Sequence, residues 1–379
     1  MSGNTARVSV DSQDSYRVMI VDDSAVIRGI INKWLSALPD IDVVASCRHG
    51  EDALRRLDKI DVDVIILDIE MPIMDGLTAL PLILKKAPHV RVLMASTLTR
   101  RNADISIRAM TMGASDYVPK PESMTGGVSA GDFQHDLIDK VRALGAAVRG
   151  KVLGKTAPAA GGKKAPVAEV LKQPANLALK PASSVPPRIV AVGSSTGGPK
   201  ALIEMMKSLA PALDGLPVVI TQHMPPTFTA ILAEHVAAAT GRTACEGETG
   251  MKLEPGKIYV APGGFHMLLE KKGADTLIRL DDSPAVNYCR PAVDPMIDSL
   301  VAIYGSAILA CILTGMGHDG RDACIRLQEA GGTVVAQDEA TSVVWGMPGA
   351  VAQAGICHQV LPLEKIGPKM SQIIKGAAR

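Results

Sequence analysis

Five residues that can carry out phosphate chemistry lie in the first third of the sequence. Asp22 and Asp23 follow the apolar run RVMIV, and Asp68 follows VDVIIL. Ser96 ends RVLMAS and Lys120 follows YVP, so each residue stands where a buried strand would end. Clustered carboxylates bind a hard cation such as Mg²⁺, which draws in a phosphoryl donor. The set predicts a carboxylate nucleophile that forms an aspartyl phosphate. Any single aspartate here could instead cap a helix, but the matched positions favour chemistry.

A second set of residues is typical of nucleophilic catalysis. The segment GSSTG fits the G-x-S-x-G pattern with Ser195 as the nucleophile, after the apolar run RIVAV. His223 follows the run PVVIT and one glutamine, and Asp319 follows AILACIL in the segment TGMGHDG. Serine, a histidine base and an orienting acid therefore each follow a predicted strand. Separately, Ser195 could be a helix cap, and His223 and Asp319 could be ordinary loop residues.

The choice of base leaves an alternative open. His318 is the neighbour of Asp319 and is the main rival to His223. His235 is predicted to lie in a helix and His266 in a hairpin, so both are less favoured.

Phosphate-binding loops also place glycines between a strand and a helix. A Walker loop needs Lys and then Ser or Thr after Gly198, but Pro199 and Lys200 follow. The dinucleotide pattern needs a glycine where Ser195 stands. Neither nucleotide motif is therefore matched.

Two series of alternating apolar and amphipathic segments must position these residues. The first series predicts five strands alternating with five helices, which is typical of a doubly wound parallel sheet. The second begins at Arg188 and predicts an α/β domain with a mostly parallel sheet, in which HMLLE and TLIRL form a hairpin. The predicted organisation is an extension at 1–16, a domain at 17–145, a linker at 146–187 and a second domain at 188–379.

The predicted linker is recognised by its composition. The segment from Lys151 to Pro187 has six Lys, six Pro and one acidic residue, Glu169. A chain of this composition behaves as a flexible coil, with its ends about 35 Å apart. Two domains joined in this way can touch or separate.

Composition excludes several classes of protein. The net charge of +1 gives no nucleic-acid footprint, and the six cysteines lack a C-x-x-C pair that would indicate zinc. Scattered cysteines and a polar N-terminus without a secretory signal favour the cytoplasm. The stretch from Leu300 to Gly317 carries no charge, but Tyr304 to Ser306 divides it into a helix end and a buried strand, so membrane insertion is not expected.

The first domain resembles the response-regulator receiver family. The motifs VDDS, ILDIEMPIMDG, MAST and YVPKP occur in that family's order over about 130 residues. The resemblance implies a flavodoxin-like fold in which a histidine kinase phosphorylates Asp68. It implies that Mg²⁺ is held by Asp22, Asp23, Asp68 and the carbonyl of Glu70. It also implies that Ser96 and Lys120 contact the phosphoryl group and that Tyr117 reports the switch.

The second domain resembles the CheB family of protein-glutamate methylesterases. The resemblance rests on GSSTGGP, TQHMPPTFT, YVAPGGFHM, NYCRPAVDPM, LTGMGHDG and VWGMPGAV. It implies that Ser195 is the nucleophile, His223 the base and Asp319 the orienting acid, with Thr196 a helper and the Met316 amide an oxyanion donor. It further implies hydrolysis of methyl esters on chemoreceptor glutamates, and deamidation of glutamines, with no cofactor for the ester chemistry. Unphosphorylated receiver would lie across Ser195.

Other classes of function compete with this interpretation. In a receiver-controlled adaptor, the Ser-His-Asp set would be inert. A general esterase or peptidase would share the set and differ in substrate. A transcription regulator is less favoured, because the second domain is neither small nor basic.

Overall fold

The computed structural model describes residues 15–120, 130–150 and 178–376, so most of the predicted extension and residues 151–177 of the predicted linker lie outside it. The N-terminal region contains five strands: β1 Tyr16–Val21, β2 Ile41–Cys47, β3 Val64–Asp68, β4 Arg91–Ser96 and β5 Asp116–Pro119. They form one parallel sheet in the order β2-β1-β3-β4-β5. The helices are α1 Ala25–Ser36, α2 Gly50–Arg56, α3 Gly76–Lys86, α4 Arg100–Thr111 and α5 Ala130–Gly150.

Side-chain caps explain where the helices of this region begin. Ser24 accepts a hydrogen bond from the Ile27 amide, and Asp75 accepts one from the Thr78 amide at 2.7 Å. Such caps satisfy backbone donors that the first helical turn leaves unpaired. Since β1 and β3 are central neighbours, their carboxyl ends meet at one edge, where α/β sheets place ligands.

The C-terminal region is built on a seven-stranded sheet. Its strands are β6 Ile189–Ser194, β7 Val218–Gln222, β8 Ala244–Glu246, β9 Ile258–Val260, β12 Ile308–Ile312, β13 Thr333–Gln337 and β14 Gln359–Leu361. Their order is β14-β13-β12-β6-β7-β9-β8, and every pairing is parallel. The predicted hairpin is confirmed as β10 His266–Lys272 and β11 Asp275–Asp281, but it forms a separate two-stranded sheet.

Six α-helices in the described part of this region cover its sheet. They are α6 Gly198–Leu209, α7 Phe228–Thr240, α8 Val293–Tyr304, α9 Arg321–Glu329, α10 Met347–Gln353 and α11 Leu363–Ile374. Large apolar side chains with no exposed surface, such as Val192, Ile220 and Leu309, fill the space between sheet and helices.

Several elements differ from the sequence prediction. Helix α5 runs to Gly150, beyond the predicted domain boundary at residue 145, so it extends into the segment predicted as linker. The end of that segment is also ordered against the C-terminal region, because the Lys180 amide donates to the Cys357 carbonyl at 2.8 Å. The domain boundaries stay a prediction. The stretch from Leu300 contains the end of α8 and strand β12, and none of the described helices is long and apolar enough to cross a membrane.

Candidate functional site

The four charged residues predicted for phosphate chemistry lie together at the carboxyl edge of the N-terminal sheet. Carboxylate oxygens of Asp22, Asp23 and Asp68 all lie within 4.8 Å of one another. Lys120 Nζ lies 2.6 Å from Asp22 Oδ2 and 2.6 Å from Asp68 Oδ1. Asp22 and Asp68 are buried, whereas Asp23 is exposed, so the cluster opens to solvent on one side.

The charges of this cluster do not cancel. Burial raises the pKa of Asp68 to about 6; the positive charge of Lys120 opposes this shift and Asp22 adds to it. One lysine faces three carboxylates, which leaves an excess of negative charge on hard oxygen ligands. This donor set fits an octahedral Mg²⁺ reached from the Asp23 side.

The remaining predicted receiver residues lie near this cluster but have different partners. Ser96 ends β4, and its hydroxyl lies 3.0 Å from that of Ser106 on α4. Glu70 is exposed in the loop after β3. Tyr117 lies on β5, and its ring stacks on Phe228 of the C-terminal region, with 4.3 Å between centroids and 8° between planes. Tyr117 thus connects the two regions.

The segment around Ser195 forms a tight turn between β6 and α6. The Ser195 amide donates to the Thr314 carbonyl at 3.0 Å, and the Gly198 amide donates to the Ser195 carbonyl at 2.7 Å. Gly197 has φ of 75°, which favours glycine. A Cβ on Gly198 would lie 1.9 Å from Gln222 Oε1, so a side chain there would collide. The turn therefore requires glycine at both position 197 and position 198.

Gln222 is a positioning residue that sequence reasoning missed. Its Oε1 accepts from the Ser194 hydroxyl at 2.6 Å. Its Nε2 donates to the carbonyls of Ser195 at 2.9 Å and His223 at 3.2 Å. A polar residue directly before the predicted base, at the end of a buried strand, was the available signal.

His223 and Asp319 form a hydrogen-bonded pair beside this turn. His223 Nε2 lies 2.8 Å from Asp319 Oδ2. Asp319 is buried and also accepts from the amides of Val293 at 2.6 Å and Asp294 at 3.2 Å. Burial favours the neutral acid, but the bonds from His223, Val293 and Asn287 outweigh it and lower the pKa of Asp319 to about 2.

The imidazole of His223 faces a second partner that the sequence analysis did not predict. Cys289 Sγ lies 3.2 Å from His223 Nδ1. Burial alone would lower the pKa of His223, but negative charge on Cys289 and on Asp319 raises it to about 10. Within the described residues, no hydrogen bond joins the Ser195 hydroxyl to His223. The acid and base are paired, while the nucleophile is adjacent but not engaged.

The other histidines of this region have different surroundings. His318 is exposed, and it lies near Asp322 rather than Ser195. His235 Nε2 lies 2.8 Å from Asp104 of α4. His266 is buried between the Pro284 carbonyl and the Ala292 amide. Geometry therefore favours His223 as the base.

Thr196 and Met316, the two residues predicted to help at the oxyanion site, differ in their hydrogen bonds. Thr196 is buried, and its carbonyl accepts from the Thr314 hydroxyl at 2.9 Å. Met316 lies in the loop after β12, half-buried, and its amide donates to no protein acceptor in residues 15–120, 130–150 and 178–376. A free amide of this kind can stabilise a developing negative charge.

The N-terminal region covers the turn that carries Ser195. Asp116 of β5 is buried, and its carboxylate lies beside Thr196; burial is the main cause that raises the pKa of Asp116. Val343 and Val344 pack against the apolar cluster of the N-terminal sheet. At the edge of the contact, Arg100 of α4 pairs with Glu234 of α7.

Comparison with known proteins identifies the family of each region. Residues 18–129 match the family described as Response regulator receiver domain, and residues 190–370 match CheB methylesterase. A relative from Bradyrhizobium diazoefficiens, the "Protein-glutamate methylesterase/protein-glutamine glutaminase of group 2 operon", is 49% identical over 99% of this chain and 98% of its own. The chain belongs to the CheB methylesterase family. A second family member, the protein-glutamate methylesterase/protein-glutamine glutaminase of Nitrobacter hamburgensis, is 52% identical over 96% of this chain and 95% of its own.

A solved structure covers one half of this CheB-family chain. The crystal structure of the Thermotoga maritima CheB methylesterase catalytic domain is 42% identical, covers 50% of this chain and all of that domain, and has a TM-score of 0.48. From the two family matches, the N-terminal region is called the receiver below, and the C-terminal region the methylesterase domain.

Proposed function

We infer that this protein is a phosphorylation-activated protein-glutamate methylesterase that acts on cytoplasmic helices of chemoreceptors. The observation that carries this inference is the His223–Asp319 pair at 2.8 Å beside the turn of Ser195. The full-length family membership supplies the substrate class, a glutamate methyl ester, and the pathway, sensory adaptation in chemotaxis. The site of action is the cytoplasm.

Ester hydrolysis follows from the roles of three side chains. Asp319 holds Nε2–H of His223, which leaves the Nδ1 lone pair as the base. The Ser195 hydroxyl gives its proton to Nδ1 and attacks the ester carbonyl, and the amides near Thr196 and Met316 stabilise the oxyanion. The imidazolium then protonates the leaving methanol. Water enters by the same base and releases glutamate.

Deamidation of receptor glutamine uses the same groups. The acyl-enzyme formed from an amide is identical to that formed from the ester, and ammonia leaves in place of methanol. The esterase and glutaminase activities should therefore depend on the same Ser195, His223 and Asp319.

The receiver accepts a phosphoryl group on Asp68 from a histidine kinase in this proposal. Asp22, Asp23, Asp68 and the Glu70 carbonyl would hold Mg²⁺, which when bound shields the charge of the incoming phosphate. Lys120 already lies 2.6 Å from Asp68 Oδ1 and can contact the phosphoryl oxygens. Ser96 would turn from Ser106 to reach the same group.

Regulation is proposed to act through the covered Ser195 turn. Asp116 and Tyr117 of β5 contact Thr196 and Phe228, so the receiver lies where a receptor helix would need to approach. Phosphorylation of Asp68 adds charge at the cluster and changes the position of Tyr117, which weakens this contact. The domains then separate and admit the substrate.

The adaptor alternative is tested by the nucleophile itself. Ser195→Ala should abolish methanol release from methylated receptor membranes, a loss of at least about 10³-fold. Ser208→Ala is the matched control, because Ser208 is an exposed serine of α6 whose hydroxyl bonds the Met205 carbonyl and no residue of the site. Ser208→Ala should retain most of the release. Substantial turnover by folded Ser195→Ala would contradict the assignment, and so would an equal loss in both variants.

A further inference from the structure

The tight turn from Val286 to Cys289 places two polar side chains in contact with His223 and Asp319 of the methylesterase site. Val286 and Cys289 exchange backbone hydrogen bonds at 3.1 and 2.9 Å. The two residues between them, Asn287 and Tyr288, have φ of 52° and 64°, a left-handed backbone that costs energy for a tyrosine. The Asn287 amide donates to Asp319 Oδ1 at 3.1 Å, and Cys289 Sγ lies 3.2 Å from His223 Nδ1.

The contact of Cys289 falls on the nitrogen that catalysis needs. Nε2 of His223 is committed to Asp319, so only Nδ1 can accept the proton of Ser195. A single lone pair on Nδ1 cannot serve a thiol and a hydroxyl at once. We propose that Cys289 is a second proton partner of the catalytic imidazole, which occupies Nδ1 of His223 at rest and must yield it to Ser195 before the ester is attacked.

The charges around His223 come from three elements. Cys289 approaches from the turn and Asp319 from the loop before α9. Asp294 of α8 lies beside Asp319, and its amide donates to that carboxylate. Burial and the charge of Asp319 raise the pKa of Asp294 to about 6. Arg290 donates instead to the carbonyls of Asp282 and Ser283. In this surrounding, a proton shared between Cys289 Sγ and His223 Nδ1 would leave Ser195 without a base.

Cys289 differs from the other cysteines of the chain. Burial raises the pKa of Cys47 and Cys357 to about 12 and also raises those of Cys311 and Cys324. Cys245 is half-buried, and burial together with Glu248 and Glu246 raises its pKa. Cys289 is half-buried like Cys245, but it alone of the cysteines lies beside an imidazole, the surrounding in which protein thiols become reactive.

The first test is a pH profile of kcat/KM for methanol release by the full chain with phosphodonor and Mg²⁺. It rests on the proposed roles of Ser195 and His223. Cys289→Ala and Cys289→Ser both remove the ionisable thiol, so the pKa of His223 should fall and the acid limb should move to lower pH by about one unit or more. Comparing variant and parent at each pH cancels the contribution of receiver phosphorylation.

The serine variant separates ionisation from packing. The introduced hydroxyl would fill most of the space of the thiol, so a merely structural role predicts that Cys289→Ser restores the parent profile. An acid limb at the parent pH in both variants would overturn the proposal. An unshifted acid limb would leave the proposed function intact as long as the parent enzyme releases methanol and Ser195→Ala does not.

The second test uses iodoacetamide on the parent chain. The Cys289 thiol gives its proton to solvent and its sulfur attacks the methylene carbon, so the carbon–sulfur bond forms as the carbon–iodine bond breaks and iodide leaves. Methanol release should fall in proportion to labelling of Cys289 measured by mass spectrometry. Cys245→Ser should lose activity as the parent does, whereas Cys289→Ala should keep the activity that it had before the reagent. Full activity with Cys289 labelled, or no labelling of Cys289, would contradict the proposal.

Discussion

The two reaction centres of this chain differ in how far they are assembled. At the receiver edge, Lys120 already contacts both Asp22 and Asp68, and the exposed Asp23 leaves the cluster open to solvent. At the methylesterase edge, His223 and Asp319 are paired, but the part of the chain that the structure describes shows no hydrogen bond from Ser195 to the imidazole, and the receiver covers the turn. The receiver cluster is therefore accessible to a phosphodonor, whereas the methylesterase site is covered and its nucleophile is not yet bonded to the base.

The difference indicates where control of the protein lies. The acidic cluster is already assembled, and in the proposed mechanism only Ser96 turns to reach the phosphoryl group, so we expect phosphorylation to come first. The proposed mechanism requires the contact between Tyr117 and Phe228 to loosen and Nδ1 of His223 to become free. We therefore expect the two centres to act in sequence, with the receiver first.

The largest effect is expected for the base. His223→Gln should lower kcat for methanol release by at least about 10³-fold, because Ser195 then lacks a proton acceptor. His318→Gln is the control, since His318 is exposed and lies by Asp322. It should stay within about threefold of the parent, as surface substitutions usually have small effects. A larger loss in His318→Gln than in His223→Gln would reverse the assignment.

A smaller effect is expected where the two domains meet. Phe228→Ala should raise methanol release without phosphodonor by about tenfold, because a stacked aromatic contact worth on the order of 1 kcal/mol is lost with its buried area. Trp34→Leu disturbs another aromatic pair, Trp34 with Phe133, inside the receiver, and should not raise basal release. Unchanged basal release in well-folded Phe228→Ala would mean that the stack does not hold the domains together.

The smallest effect is expected at the edge of the contact. Arg100 and Glu234 form an ion pair whose side chains are 67% and 57% exposed. Exposed pairs contribute roughly 0–1 kcal/mol, so Arg100→Ala should raise basal release less than about fivefold and only at low salt. Adding Glu234→Ala to Arg100→Ala should change little more. An effect as large as that of Phe228→Ala would place the control in the charges instead.

Local sequence patterns sufficed for most of the positions that carry chemistry. Asp22, Asp68 and Lys120 were predicted to meet because apolar runs end beside them, and the contacts at 2.6 Å confirm that placement. The pairing of His223 with Asp319 was also expected from strand ends. Their catalytic roles stay predictions.

Contacts between distant segments were beyond those patterns. Cys289 reaches His223 across 66 positions through a turn with two left-handed residues, and no periodicity encodes that approach. The stack of Tyr117 on Phe228 joins separate domains.

The most direct test of the account is methanol release from methylated receptor membranes by the full chain, with and without a small phosphodonor and Mg²⁺, beside Asp68→Asn. Release by the parent should rise several-fold with phosphodonor, while Asp68→Asn stays at the basal level in both conditions. Equal release by the parent with and without phosphodonor, with Asp68 shown to be phosphorylated, would contradict the claim that the receiver withholds the methylesterase site.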